Sequence, residues 1–460
     1  GVVLALFVLS VYGFGFTDKS FFPASTTPKF RVDVFWPIDQ HIDVTEEKTS
    51  VIEKGLAELE GVTHVASAIG QGPLRFILTF TPEKEHPGFA QFLVDIEDYN
   101  TLRRDIERAE AYISSVAPDA IVFGRTFDLG PSKPGKIEAR LVGHDPDVLR
   151  ELEKQTLAIF KADADAQGSR GRWYERVKVI RPRLSEEQAD AQGITTRGVA
   201  DAIRSTFEGL PVGVYREGDE VIPLMFRQPA PLRDDVANLG QIPIWSPAAQ
   251  QYIPLANVVT GRETIWSDRV VERRNRKRTL TVVTDPTNDS APTLWGRLAP
   301  QVENLPFPPG YYVEWGGEYE SQTDAQEALF APIPMFVSIM VVIVIGLFNA
   351  IRQPLVIWLT VPLALIGVTA GLLATDQPFG FMALLGFLSL SGMLIKNAIV
   401  LVDEIDLQVK LGSPTYKAIL DSGVSRLRPV SMAAATTILG MIPLFGDAFF
   451  IAMAVTIVFV

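Results

Sequence analysis

The stretch from Phe381 to Val402, FMALLGFLSLSGMLIKNAIVLV, is long enough at about 1.5 Å per residue to cross a bilayer, yet it carries one charge, Lys396. No other feature restricts the fold as much. Backbone polar groups in hydrocarbon must be satisfied within the segment, which makes it a helix. An ammonium near the centre of such a helix costs about 2.5–3.5 kcal/mol on insertion. Lys396 lies about two turns inside the end of the run. Its long side chain either snorkels toward Asp403 and Glu404 or stays in a lined interior, where charges mark ion or proton pathways. Asn397 beside it favours the lined interior.

Other apolar spans fall at about 1–15, 333–349, 354–374, 429–446 and 449 to the end, with Pro362 expected to kink the third and Gly367 and Gly371 to allow close helix packing there. The first span has no basic start and no small-residue cleavage site before Thr17, so it reads as a membrane span rather than a signal peptide. Both ends of the chain read as cut, the whole as a fragment. Arg352 sits in one connection, and Lys410, Lys417, Arg426 and Arg428 sit in the connection at 403–428; 375–380 and 446–448 hold only Asp376 and Asp447. By the positive-inside rule the first set faces the cytoplasm, which puts 17–330 in the periplasm of a bacterium.

Charge follows the same division. The net charge is −12, residues 331–460 hold six cations and six acids, and 1–16 hold none, so the acidic surplus belongs to 17–330. An acidic outer region argues against nucleic acid as a partner. The absence of cysteine fits an oxidising or a reducing compartment equally. At 460 residues the chain is too long for one ordinary core.

Within the outer region, KFRVDVFWP, RFILTF and DAIVFG read as strands, EEKTSVIEKGLAEL and TLRRDIERAEAYISSV as amphipathic helices, in the β-α-β-β-α-β order of a split βαβ unit. A second unit follows as KIEARLVG, DVLRELEKQTLAIF and RWYERVKVIRP, then RTLTVVTD, APTLWGRLAPQVENL and YYVEWGGE, interrupted by an insert at about 181–268. GPSKPGKI at 130–137 matches a phosphate-loop pattern but fails its chemistry: Ile137 stands where a hydroxyl must reach Mg²⁺, two prolines remove backbone donors, and a strand follows instead of a helix. Metal export finds little support in residue types, since seven of eight methionines lie in or beside the apolar spans and only Met225 lies outside. His41, His64, His86 and His144 lack metal spacing and read as surface or turn histidines. No catalytic triad or metal centre points to an enzyme.

The order of parts, with GGEYESQTDAQEAL, EGDEVIPLMFR, IPLANVVT, GMLIKNAIVLVDEI and RLRPVSMAAATTILGMIPL, resembles the C-terminal half of a resistance-nodulation-cell-division (RND) efflux transporter. The resemblance implies an α-helical membrane bundle plus an α+β periplasmic region of two ferredoxin-like split βαβ porter units with an inserted docking subdomain. On that reading the parts are a membrane helix at 1–16, a first porter unit at 17–132, a second at 133–180 and 269–330, the docking subdomain at 181–268, and membrane helices at 331–460. In the family the lysine of the fourth span pairs with aspartates of the N-terminal half, whose protonation changes the pairing. Lys396 and Asn397 take those places and Arg426 that of an arginine at the cytoplasmic entrance. Ala433 stands where drug pumps often have threonine, with Thr436 and Thr437 one turn on as alternative hydroxyls.

Implied partners are the N-terminal half, a homotrimer, a periplasmic adaptor, an outer-membrane channel and the inner-membrane lipid bilayer, with no cofactor. The family's pocket phenylalanines are replaced here by HVASAIGQGPLRF and KIEARL, which put Lys136, Glu138 and Arg140 on one strand face, either solvated or lining the pocket; Phe123 and Phe127 are the remaining aromatic candidates. The implied function is proton-motive-force-driven export of amphiphilic small molecules. Alternatives are an RND-type lipid or metal exporter, or a protein-translocation accessory of the superfamily, against which the insert at 181–268 counts.

Overall fold

A computed structural model describes residues 1–130, 135–233, 235–288 and 290–459. It divides into a larger compact unit, Gly1–Glu175 with Val270–Val460, and a smaller one, Arg176–Arg269.

The larger unit opens with an apolar helix, α1 (Val2–Phe14), then runs β1 (Lys29–Phe35), α2 (Ile42–Ala57), β2 (Val62–Ile69), β3 (Phe89–Ile96), α3 (Leu102–Val116) and β4 (Ile121–Thr126). The strands form one antiparallel sheet in the order β2-β3-β1-β4. Because side chains alternate along a strand, Phe30, Val32 and Val34 face one way and bury themselves against Ile52 and Leu56 of α2 and Ala109 and Ile113 of α3. Arg31, Asp33 and Phe35 face the other way, and they are buried too.

The second module begins with β5 (Ile137–Gly143), α4 (Pro146–Ala162) and β6 (Ala166–Gly171). Asp145 caps α4 by accepting from the Asp147 N–H, and Pro146 occupies a first-turn position that needs no donor.

The chain then forms the smaller unit from β7 (Arg176–Leu184), α5 (Glu186–Ala191), α6 (Thr196–Phe207), β8 (Leu210–Glu217), β9 (Glu220–Phe226), α7 (Ala230–Arg233), β10 (Pro243–Ser246), β11 (Gln251–Pro254) and β12 (Val259–Asp268). β7 pairs with β12 along the base, and Ile194, Leu239, Ile253 and Leu255 fill its core.

Back in the larger unit, β13 (Arg273–Arg274), β14 (Lys277–Pro286), α8 (Ala291–Glu303) and β15 (Tyr312–Gly317) complete a sheet in the order β13-β14-β5-β15, with β6 on β14. Ile137, Ala139 and Leu141 pack there against Leu149 and Phe160 of α4 and Leu294 and Leu298 of α8.

Two strand assignments are corrected. RFILTF forms no strand; it belongs to an irregular loop between β2 and β3, and the strand partners are VTHVASAI and FAQFLVDI. RWYERVKVIRP is not the strand that follows α4 either. That strand is AQGSRG, and residues from Arg176 onward pair with β12 instead. Of the phosphate-loop stretch, 131–134 lie outside the described residues, as does the expected module boundary at 133, and β5 begins at Ile137. His86, expected at the surface or in a turn, opens a turn, its carbonyl accepting from the Phe89 N–H at 2.9 Å, but it is buried against Phe35 and Tyr174.

The membrane part comprises α9 (Glu318–Phe330), α10 (Ile333–Phe348), α11 (Arg352–Thr360), α12 (Ala364–Thr375), α13 (Phe381–Lys410), α14 (Thr415–Met441) and α15 (Ile451–Val458). By length and composition four helices among the described residues can cross a membrane: Glu318–Phe348, Arg352–Thr375, Phe381–Lys410 and Thr415–Gly446. A 3₁₀ turn at Val361–Leu363 interrupts the second where Pro362 removes a donor. The expected connection 403–428 is almost entirely helix, with only 411–414 between α13 and α14.

Strand β15 passes directly into α9 at Gly317, whose φ of +74° favours glycine and where a Cβ would lie 2.3 Å from the Lys136 carbonyl oxygen. Gly317→Ala therefore destabilises the sheet-to-membrane junction by about 1–3 kcal/mol, read as a lower thermal midpoint of the whole chain in detergent. An unchanged midpoint would show that this backbone has room to relax.

Candidate functional site

Two clusters of polar groups stand out against the apolar background. The first is the seam between α13 and α14. Thr437 Oγ1 lies 4.0 Å from Met393 Sδ, and Arg426 Nη2 donates to Glu404 Oε2 at 2.6 Å. Eleven residues separate Met393 from Glu404, and eleven separate Thr437 from Arg426, so the two antiparallel helices hold one register over about three turns. That register sets Asn397 at the level of Ala433 and Lys396 at the level of Ala434. Ile395 is buried with Val344 and Ile357. Lys396, one residue on, turns away from that core and is left uncovered by this chain.

Neither Lys396 nor Asn397 has a hydrogen bond or ion pair among the described residues, so the snorkelling contact with Asp403 or Glu404 is not made. Glu404 is taken by Arg426 and Gln408, and Asp406 accepts from Gln353 Nε2 at 2.9 Å. Thr437 joins the seam. Thr436 is exposed and returns its hydroxyl to the Ala433 carbonyl.

The second cluster is a layer of charge between the two α/β modules. Arg125 of β4 donates to Asp33 of β1 and, at 3.2 Å, to Asp285 of β14, while Gln91 of β3 also donates to Asp33. Asp285 accepts further from the Lys136 backbone N–H at 2.8 Å, and the Lys136 ammonium lies 2.9 Å from Asp128. Arg170 of β6 reaches Glu83 at 3.7 Å, its guanidinium 4.3 Å from the Phe35 ring centre and 5.1 Å from that of Phe123. Asp33 and Asp285 are each 1% exposed. Burial pushes the Asp33 carboxyl up, but the guanidinium groups of Arg125 and Arg31 and the Gln91 amide outweigh it and hold Asp33 below the usual carboxylate range. Lys136 is held above its ordinary value because Asp128 and its neighbours outweigh the opposing effect of burial.

The candidate pocket residues separate. Lys136 lines a cleft of about 450 Å³ with Glu110, Arg125, Thr126, Asp128 and Asp285. Glu138 and Arg140 are neither solvated nor in that cleft; they pair with each other at 2.6 Å, and Arg140 also reaches Glu320 at 2.7 Å. Phe123 is enclosed with Phe35 and Phe89, whereas Phe127 packs elsewhere, with Phe76 and Phe80. A second cleft of about 510 Å³ is lined by Trp36, His86, Arg150, Arg170 and Tyr174.

Sequence reading missed Asp33, Arg125 and Asp285. Their signal was present as single charges inside apolar strands, FRVDVF, IVFGRTF and LTVVTD, but alternation of that kind also describes a strand with one wet face.

The pattern of the AcrB/AcrD/AcrF family matches residues 2–447. The cobalt-zinc-cadmium resistance protein CzcA of Cupriavidus metallidurans is 26% identical over 317 residues, 67% of this chain and 29% of that protein. The nickel-cobalt-cadmium resistance protein NccA of Alcaligenes xylosoxydans xylosoxydans is 29% identical over 258 residues, 55% of this chain and 24% of that protein. A crystal structure of a heavy metal efflux pump overlays all of this chain with a TM-score of 0.80 at 20% identity, a likeness of fold. This chain covers 48% of it.

Removing Arg125 strands two buried carboxylates, so Arg125→Met costs about 3–5 kcal/mol. The pH dependence reverses as well. In the wild-type chain the Asp33 value is below its ordinary 3.8, so its contribution is present above that pH and is lost only as pH falls through the lowered value. Without Arg125, burial dominates and raises Asp33, so the variant gains stability between about pH 7 and about pH 5 while the wild type does not. Thermal midpoints across that range check this; parallel curves would mean that Arg125 does not set the Asp33 charge.

Proposed function

We propose that this chain, which belongs to the AcrB/AcrD/AcrF family, is one half of a proton-motive-force-driven exporter of amphiphilic small molecules. It is an inner-membrane protein with a large soluble region. The observation that carries the reading is Lys396: a cation inside an apolar helix, uncovered, unpaired among the described residues, and level with Ala434 of α14 rather than with a carboxylate. An ammonium in that position needs an anion from elsewhere, and carboxylates of the other half that gain and lose protons supply one. Asn397 and Thr437 extend the polar line, and Arg426 stands where the seam meets the cytoplasm, with Thr436 at its edge.

The soluble modules are read as two ferredoxin-like split βαβ porter units, a reading supported by the β-α-β-β-α-β order and the strand order of the first. The unit Arg176–Arg269 is read as the docking subdomain. The complete protein is read as a homotrimer working with a periplasmic adaptor and an outer-membrane channel.

A second reading, metal export, is favoured by the names of the relatives. Against it, the described residues gather no group of three or more His, Cys, Asp or Glu that could hold a metal ion. Substrate and coupling are tested together in the complete transporter by accumulation of a fluorescent amphiphile and by cobalt tolerance. Lys396→Ala raises amphiphile accumulation to the level of cells without the transporter while membrane insertion is kept, since the span becomes more apolar. Lys396→Arg is also impaired, because a planar fork replaces a compact charge. Wild-type export in Lys396→Ala overturns the proton-coupling assignment, and protection from cobalt without any effect on the amphiphile selects the second reading. For topology, a cysteine replacing Ser413 in the α13–α14 turn is labelled from the cytoplasmic side only; periplasmic labelling would invert the assigned orientation.

A further inference from the structure

Five of the six residues at 273–278, RRNRKR, are cations, in a chain whose net charge is −12. The run folds as a hairpin in which Arg273 lies directly across the ladder from Arg278, and Arg274 from Lys277. Like charges placed opposite each other on a strand pair are destabilising. On one face the repulsion is answered. Arg274 Nη2 donates to Glu320 Oε1 at 2.7 Å and its Nε lies 3.9 Å from Glu314, while the Lys277 ammonium donates to the Tyr312 hydroxyl at 3.2 Å.

On the other face it is not. Arg273 and Arg276 have no hydrogen bond or ion pair among the described residues, and Arg278 donates to a backbone group, the His144 carbonyl. The acids next to them in sequence are engaged elsewhere: Glu272 lies 3.0 Å from Lys84 and 3.7 Å from Arg172, and Asp145 turns back to cap α4. Arg273, Arg276, Lys277 and Arg278 line a cleft of about 380 Å³ together with His144 and Gly310, and no carboxylate lines it among the described residues. Three connections thus meet there, β13–β14, β5–α4 and α8–β15.

The hairpin turn adds a separate observation. Asn275 and Arg276 have φ of +50° and +66°, the positive pair of a type I′ turn, whose second position suits glycine. An arginine held there keeps its side chain at a cost to the backbone, and outliers of this kind cluster at functional positions. The place of the cleft restricts what can fill it. Tyr312 pairs with Val142 and Gly317 with Ile137, so the cleft lies at the end of the sheet away from α9, about 17 Å along β15 from Gly317. The polar helix α9 still separates Gly317 from the apolar α10.

We propose that this cleft binds a small water-soluble molecule carrying a phosphate monoester or diphosphate group. The guanidinium forks of Arg273 and Arg276 match the oxygen edges of a phosphate, and a ligand with more than one negative charge answers several unpaired cations where a single carboxylate answers one. The anion takes the position between Arg273 and Arg278, turns their repulsion into attraction, and ties the three connections together. The site is separate from the seam of α13 and α14 and does not depend on the exporter reading.

The test is calorimetric titration of the full chain in phosphatidylcholine nanodiscs with sodium pyrophosphate or acetate at constant ionic strength, with empty nanodiscs subtracted. The wild-type chain binds pyrophosphate about tenfold or more tightly than acetate. Arg276→Gly loses about tenfold in pyrophosphate affinity, yet its thermal midpoint without ligand is not lowered, because glycine suits the positive φ. Arg273→Gln, which removes half of the like-charge pair, behaves in the same way, and Arg274→Gln on the opposite face keeps the wild-type affinity. Equal wild-type binding of pyrophosphate and acetate overturns the proposal, and so does wild-type pyrophosphate affinity in Arg276→Gly and Arg273→Gln. Competition by phosphatidic acid placed in the nanodisc overturns the soluble assignment, since the ligand is then a lipid head group.

Discussion

The soluble part depends on one arginine that two strands of different modules share. Arg125 stands on β4 and bonds both Asp33 of its own sheet and Asp285 of the other. Each sheet has a face that helices cover with aliphatic side chains, as any two-layer α/β module does. Each also has charged residues on a face that would be wet if the module stood alone. The charges can be buried only because they come from both sides in complementary sign. A buried ion pair adds little net stability compared with an apolar contact, but breaking it is costly, so it fixes orientation more than it adds energy. The modules are thereby held at one mutual setting.

The same layer is tied to the membrane by a short path of hydrogen bonds. Asp285 accepts from the Lys136 N–H at 2.8 Å, and the Lys136 carbonyl accepts from the Glu318 N–H at 2.7 Å. Glu318 opens α9, which continues into the first long apolar helix. Gly317 makes this closeness possible by having no Cβ to meet that carbonyl. A change in the Arg125 pairing and a shift of the membrane helix therefore act on adjoining backbone groups, with one residue, Lys136, between them.

Much of this was legible in the sequence and part was not, for physical reasons. Length and hydropathy gave the spans, and Pro362 its break, because hydrocarbon imposes one rule on every residue of a helix. Lys396 could be singled out because its background is uniform. The strand AQGSRG was lost because it has no apolar alternation: Gly168 and Gly171 are there to admit the Phe123 ring and the Glu153 carboxylate. RFILTF was misread in the opposite direction, since aromatic and β-branched residues suit a pleated surface equally well whether they pair or pack as a loop. Glu138 and Arg140 were seen as one face, correctly by alternation, but what covers a face is decided by residues almost two hundred positions away, such as Glu320.

Arg31 and Lys396 raise the same question in two solvents. Each is a cation placed where its surroundings are apolar, and each lacks the counter-charge that its neighbours enjoy: Arg125 and Arg170 in one case, Arg426 with Glu404 in the other. A buried charge without a direct partner is costly, and at Arg31 the carboxylates of Asp33, Asp128 and Asp285 offset part of that cost from a distance. For Lys396 the uncovered face belongs to a membrane helix, at the level of Ala434 on α14. For Arg31 the surroundings are the buried Phe80 and Phe127 rings and carboxylates that other cations already hold. The two cations differ in their surroundings, an uncovered face of an apolar helix for one and a buried layer of charge for the other.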